Sequence, residues 1–366
     1  MSRFIGMSKL IRKRRSQSAD SSLIKRNMSD NYAENIETMR NDENTVKSEN
    51  VQKASGSWDL LPYDIKRMIV EKMDFITRNR MKWTSKANLE LMKSIPLHLQ
   101  NFYLADTDES CDCEDAQRMM TVSCDDLTIR SNQDSWKVTY IENGVKVNRR
   151  VRVPEWIQQY SPLYLLRKWL ERFLLTTDMR VVNFTADMNP PAQLALKDYR
   201  IQAENIFFYD FEPDRFISWI RLTLVSHIKK IDTFYEASLT KRLTGIGNIE
   251  QIINCTALKI GWSNDINDNQ LLNFNAKQIE LDSSNVTEDG VHRLFKKWIT
   301  NDYPIGSKFY ADVKTDLTRL LDGIEHQVYH TGRSETKKAR IMMNNQKELI
   351  VEVDGTSTEF DVRNTQ

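Results

Sequence analysis

The sequence predicts an α+β protein in which a small three-helix module precedes an irregular α/β solenoid with a small antiparallel β section. Three observations point there. Trp58 to about Ile95 contains three short helical patterns in succession, closed by Pro96. From about Leu97 to Val153 alternating runs and turn signals replace them. Beyond Met179, β-type runs recur about every 21 to 30 residues with helical runs between them, within the period range of strand-plus-helix repeats.

Residues 1–57 show no sustained periodicity and almost no aromatic residue, which reads as a disordered arm. Its opening MSRFIGMSKLIRKRRSQSADSSLIKR has no acid before Asp20, as a mitochondrial presequence would. Arg12 to Arg15 also fits a nuclear-import signal, Arg14-Arg15-Ser16 fits a basophilic-kinase site, and a plain solvated tail explains the same residues. The helical patterns are PYDIKRMIVEKM, ITRNRMKWTS and KANLELMKS. Alternation in DDLTIR and DSWKVTYI, the pair Asn143-Gly144 and the run VKVNRRVRV predict a small antiparallel sheet. PEWIQQYSPLYLLRKWLERFLL is a strong helix with Pro162 at a break or restart.

The β-type runs that follow include MRVVNFTAD, AENIFFYD, IKKIDTFYE, TALKIGW, AKQIELDSS and SKFYADV. The clearest helix between them carries Val291, Leu294, Phe295 and Trp298 behind a Thr287-Glu288-Asp289 start. This alternation favours parallel strands joined by helical crossovers. No repeat has the full Leu and Asn ladder of a standard leucine-rich repeat, so the solenoid is leucine-rich-repeat-like and irregular. KELIVEVDGTSTEFDV reads as a hairpin around Asp354-Gly355 that caps the last strand edge.

The chain has 366 residues, with 52 Lys and Arg against 51 Asp and Glu. A net charge of +1 provides no global electrostatic reason for a nucleic-acid or membrane partner. Four cysteines in a chain this long are no disulfide framework, and a reducing compartment, cytoplasmic or nuclear, fits them. No apolar run approaches the roughly 18 residues of a membrane-spanning helix.

Signals for catalysis or a cofactor are poor. His326 and His330 are spaced i, i+4 without the Glu that a metalloprotease helix requires. Cys111, Cys113 and Cys124 lack a fourth nearby ligand for zinc. Gly245 and Gly247 in LTGIGNIE read as a turn before a helix, since no third glycine and no Lys-Ser or Lys-Thr completes a phosphate loop. The mixed aromatic and basic residues of LRKWLERF and HRLFKKW read as buried rings with snorkelling charges. No cofactor is expected, and the outline is that of a binding protein.

The first helix begins at Pro62, with Asp64 near the positive end of its dipole. Ile65, Met68, Ile69 and Met73 share one face, and a unit of about forty residues has little core to cover them. Either a partner chain or the following sheet would have to do so. LPYDIKRMIVEKMDFITRNRMKWTSKANLELMKS resembles the F-box: a Leu-Pro start, an acidic position, a helix ending in an apolar-Asp pair, a basic-apolar helix leading to Ser-Lys, and a final apolar helix. Met81 and Trp83 depart from the small or branched aliphatics common in the second helix of that family. The order of elements from about Ser123 to Val362 is similar to the F-box-associated regions of the large nematode F-box families, termed FTH or type-two F-box-associated.

The resemblance implies a Skp-family adaptor, and through it a cullin, as partners, with Leu61, Pro62, Ile65, Ile69 and Met73 at the adaptor-binding positions. After the arm at 1–57, it further implies an F-box-like module at 58–96 and an F-box-associated domain at 97–366 that binds an unnamed protein target for ubiquitin transfer by a separate enzyme. The alternatives are a non-catalytic solenoid scaffold outside a ligase, in which the Ile65 and Ile69 face packs internally, and an enzyme with a site at the strand ends near Asp282 or Asp210.

Overall fold

Pro96 lacks the N–H that would continue a helix, and Leu97 and Leu99 start an alternating run, so the chain leaves its helical segment directly into a long strand. The computed structural model describes residues 58–82, 84–107, 119–131, 135–142, 145–151, 161–196, 200–209, 212–234, 242–282, 284–330, 336–344 and 346–365. They fall into two units, 1–61 and 62–366. In the first, Trp58–Leu60 form one 3-10 turn, and the Leu61 N–H donates to the Trp58 carbonyl at 3.2 Å.

The second unit opens with helices α1 (Tyr63–Lys72), α2 (Phe75–Lys82) and α3 (Lys86–Ser94). Strands β1 (Leu97–Thr107), β2 (Met119–Cys124), β3 (Leu127–Ser131), β4 (Trp136–Glu142) and β5 (Val145–Val151) follow, then α4 (Pro162–Thr176). The middle alternates β6 (Met179–Asp187), α5 (Ala192–Leu196), β7 (Gln202–Phe208), α6 (Pro213–Arg221), β8 (Lys230–Thr233), α7 (Glu250–Asn254), β9 (Ala257–Ile260), α8 (Asp268–Asn273), β10 (Gln278–Leu281), α9 (Glu288–Thr300) and β11 (Lys308–Ala311). The chain closes with α10 (Leu317–Leu320), β12 (Gln327–His330), β13 (Lys337–Met342), β14 (Lys347–Val353) and β15 (Thr358–Asn364).

All 15 described strands join one sheet, ordered β12-β13-β14-β15-β11-β10-β9-β8-β7-β6-β1-β2-β3-β4-β5. From β1 through β6 to β11 the pairing is parallel, and antiparallel strands flank this block on both sides. One side of the sheet, with Val181, Ile206, Ile231, Leu258, Ile279 and Phe309, shares a single hydrophobic core with Leu166, Trp219, Ile252, Leu271 and Trp298 of the helices. Edge-to-face rings continue that core, Phe184 against Trp219 at 5.2 Å and Phe208 against Phe216 at 4.9 Å.

This architecture corrects the expected class. A three-helix module followed by a leucine-rich-repeat-like solenoid with a small separate β section would keep the antiparallel and repeating parts distinct. Instead β1 pairs antiparallel with β2 and parallel with β6, so a single strand belongs to both. At the other side β15 pairs with β11 and β14, which joins the terminal meander to the same sheet. Among the described residues eight strand pairs are antiparallel and six are parallel, a large mixed sheet. The physical reason is that unpaired strand edges are unfavourable, and fusing the two parts through β1 and β15 removes them. Nor do the helices stand apart: the Phe75 ring of α2 meets Phe173 of α4 edge-on at 5.5 Å.

Several sequence readings, namely the arm at 1–57 with its basic and phosphorylation signals, Trp83, Cys111, Cys113, Asn143, Gly144 and Asp210, lie outside the described residues.

Candidate functional site

Helix α1 starts behind Pro62, whose ψ of 150° is extended and whose carbonyl accepts the first helical bond, from Lys66 N–H at 3.0 Å. Asp64 lies in the first turn and Lys72 in the last, each favourable to the helix dipole. The helix stops at Met73, whose N–H turns back to Val70, and Asp74 begins the next one. Only Val70 of this helix is buried. Ile65, Met68 and Ile69 share the opposite side and are 42 %, 63 % and 37 % exposed. Tyr63 and Pro62 are exposed as well, Met73 is half-buried, and Leu61 is half-buried within the 58–61 piece. Of the five positions singled out in the sequence, Ile65 and Ile69 therefore stand together on the open side, and Met68 adjoins them.

The two helices that follow are fixed by residues with little sequence signal. Asp74 caps α2, accepting from Thr77 N–H at 2.8 Å and Thr77 Oγ1 at 2.6 Å. Burial pushes the Asp74 carboxyl up, but these hydrogen bonds outweigh it and hold the group below its ordinary value. Arg78 is buried and clamps the end of α3. Its guanidinium donates to the carbonyls of Pro96 at 2.7 Å and Met92 at 2.9 Å, and to that of Ile95. Burial lowers its proton affinity, and nearby Glu71 partly restores it. The signal that could have revealed this clamp is Pro96, because a helix running into proline leaves orphan carbonyls for a donor from elsewhere. Ser85 caps α3, accepting from Asn88 N–H at 3.1 Å.

The sheet side opposite the core carries a row in register: Tyr103, Thr185, Phe207, Asp232, Lys259, Glu280 and Tyr310 on successive strands from β1 through β6 to β11. Lys230 pairs with Asp232 at 2.7 Å and Lys259 with Glu280 at 2.6 Å. Just past the ends of β10 and β11 lie Asp282 and Asp312. Burial, then the charges of Asp312 and Glu280, push Asp282 up to about 6, against the pull of Lys259. The Tyr310 hydroxyl donates to Asp312 at 2.7 Å. Asp282, named in the enzyme reading, thus stands in a carboxylate cluster. Among the described residues no group of three or more His, Cys, Asp or Glu could hold a metal ion.

The sequence reading also missed an asparagine ladder. Asn183 Nδ2 donates to Asn101 Oδ1 at 3.1 Å and Asn205 Nδ2 to Asn183 Oδ1 at 3.0 Å, tying β1, β6 and β7. Asn101 and Asn183 lie 82 residues apart, so no local window contains the signal.

From α7 to α9 the local logic is strongest. Gly245 adopts φ +69°, a left-handed conformation that glycine takes without strain, and its N–H donates to Asp265 Oδ2 at 2.7 Å, so LTGIGNIE forms the turn before a helix. Asn267 and Gln270 form a reciprocal capping box on α8. Asp268 accepts from both the N–H and the hydroxyl of Thr287 at 2.7 Å, fastening the start of α9 to α8. A Cβ at Gly290 would run into that Asp268 carboxylate, so the approach requires glycine.

This segment is where a comparison with known proteins succeeds: residues 248–304, from just before α7 to just beyond α9, match the family model described as F-box associated. A search of curated proteins finds no match to the chain. That match supports an F-box-associated region over those residues, and no helix among the described residues is long and apolar enough to cross a membrane.

Proposed function

We propose that this chain is the target-recognition subunit of a Skp–cullin–F-box ubiquitin ligase, in which α1 docks on a Skp-family adaptor and the sheet domain holds a protein target. The chain itself catalyses nothing in this reading. One observation carries it: an F-box-associated region follows a Leu-Pro helix whose Ile65, Met68 and Ile69 face outward. An apolar stripe left open on a charged helix is unfavourable in water unless a partner covers it. The scaffold alternative needs that stripe buried internally, and it is exposed.

Leu61, Pro62, Ile65, Ile69 and Met73 are the proposed adaptor contacts, with Ile65 and Ile69 as anchors and Met73, half-buried, at the margin. The test is affinity purification of the full chain beside an Ile65→Asp/Ile69→Asp variant. Burying two unpaired carboxylates against an apolar partner costs several kcal/mol, enough to lose an ordinary interface. Adaptor and cullin are expected to vanish from the variant's partners while targets stay. Equal recovery of adaptor by both proteins would remove α1 from the interface. Deleting 58–95 is a poorer test, since Phe75 and Arg78 belong to the packed unit.

A further inference from the structure

The outer antiparallel strands carry a charge arrangement that the ligase reading does not use. Arg130 on β3 lies directly opposite Lys137 on β4, which lies directly opposite Arg150 on β5. Directly paired residues share a sheet face, and like charges in that relation are destabilising. Among the described residues no carboxylate forms an ion pair with any of the three. A cationic edge strand alone would be explained as protection against edge pairing, and β5 is the last strand of the described sheet. That explanation does not reach Arg130 and Lys137, which sit on interior strands.

The three side chains line a recess of about 510 Å³ together with Met119, Ser135, Asn148 and a fourth cation, Arg149. The row crosses three strands, so with neighbouring strands about 4.8 Å apart it is roughly 10 Å long. That exceeds a single small anion and suits several anionic groups strung along a chain. A single nucleic-acid strand would call for aromatic stacking platforms, and among the described residues no ring lines the recess. We infer that Arg130, Lys137 and Arg150 form a docking row for an acidic segment of a partner protein, lying across the strands. As a statement about which targets the sheet domain selects, it rests on the ligase reading.

The probe is a fluorescein-labelled ten-residue peptide of alternating Asp and Ser, with an Asn-Ser peptide as control, titrated by fluorescence anisotropy with the full chain. The acidic peptide is expected to bind at least ten-fold tighter than the control and to weaken as salt rises. An Arg130→Glu/Lys137→Glu/Arg150→Glu variant should lose at least ten-fold, and an Arg130→Lys/Arg150→Lys variant should retain most of the affinity. If the triple variant unfolds, Lys137→Ala provides the measurement, with a two- to three-fold loss expected. Equal binding of both peptides, unchanged affinity in these variants, or tighter binding of an oligothymidine strand through the same residues would overturn the inference. Repeating the titration with Ile65→Asp/Ile69→Asp separates the two claims: acidic-peptide binding is expected to survive in that variant, a parent chain that binds the acidic peptide but no adaptor counts against the ligase reading alone, and a parent chain that binds adaptor but does not prefer the acidic peptide counts against this row alone.

Discussion

Helices α1 and α9 have the same kind of sequence, a short charged segment with an apolar stripe, and opposite surroundings. In α9 the stripe of Val291, Leu294, Phe295 and Trp298 is buried, and its rings extend to Phe360 on β15 and Tyr303 beyond the helix. In α1 the stripe of Ile65, Met68 and Ile69 is open, and Val70 on another side is buried. Periodicity specifies that a stripe exists; it does not specify what covers it. Burial separates a helix that stabilises the fold from one that offers a surface.

The largest expected effect lies in α9. Trp298→Ala should destabilise the protein by about 3–5 kcal/mol in denaturant unfolding, because a fully buried ring is lost and a cavity remains. Trp298→Phe should cost far less, since the indole Nε1 finds no acceptor among the described residues. Next comes the Arg78 clamp at the end of α3. Arg78→Ala strands buried carbonyls at the end of α3 and should cost about 1–3 kcal/mol by the same measurement. Removing a cap, Thr287→Ala in α9 or Ser85→Ala in α3, should cost about 1 kcal/mol each.

A pH series sharpens the contrast from the sheet side. Asp282 has a folded pKa of about 6 against an ordinary 3.8, so the folded state holds the proton more tightly. Its contribution is fully present below about 4 and is lost as pH rises through 6, so Asp282→Asn should flatten that decline. The smallest effect belongs to the open stripe. Ile69→Ala should change stability by no more than about 0.5 kcal/mol, as for other exposed positions. A loss of 2 kcal/mol would mean that the stripe is part of the core.

How much of this was legible in the sequence follows from the range of each interaction. The α9 helix was readable because Thr287 caps it from its own N-terminus, and all four apolar residues sit at helical spacing. The turn at Gly245 was readable for a similar local reason. Sheet continuity was not: whether β1 pairs with β6 depends on residues such as Asn101 and Asn183, far apart in the chain. Arg78 was hidden because its partners are backbone carbonyls, which every residue has. The open state of Ile65 and Ile69 was undecided, since a docked sheet and an absent partner predict the same helical pattern. The cation row needed strand register, because Arg130, Lys137 and Arg150 form no pattern along the chain.

The central claim is that the α1 stripe serves binding and not folding. Its most direct test is isothermal calorimetry of a purified Skp-family adaptor against the full chain and its Ile65→Asp/Ile69→Asp variant, with thermal unfolding of both chains alongside. The account predicts saturable binding by the parent chain, none by the variant, and nearly superimposable unfolding curves. Equal adaptor binding by both chains, or a variant that unfolds before binding can be measured, would contradict it.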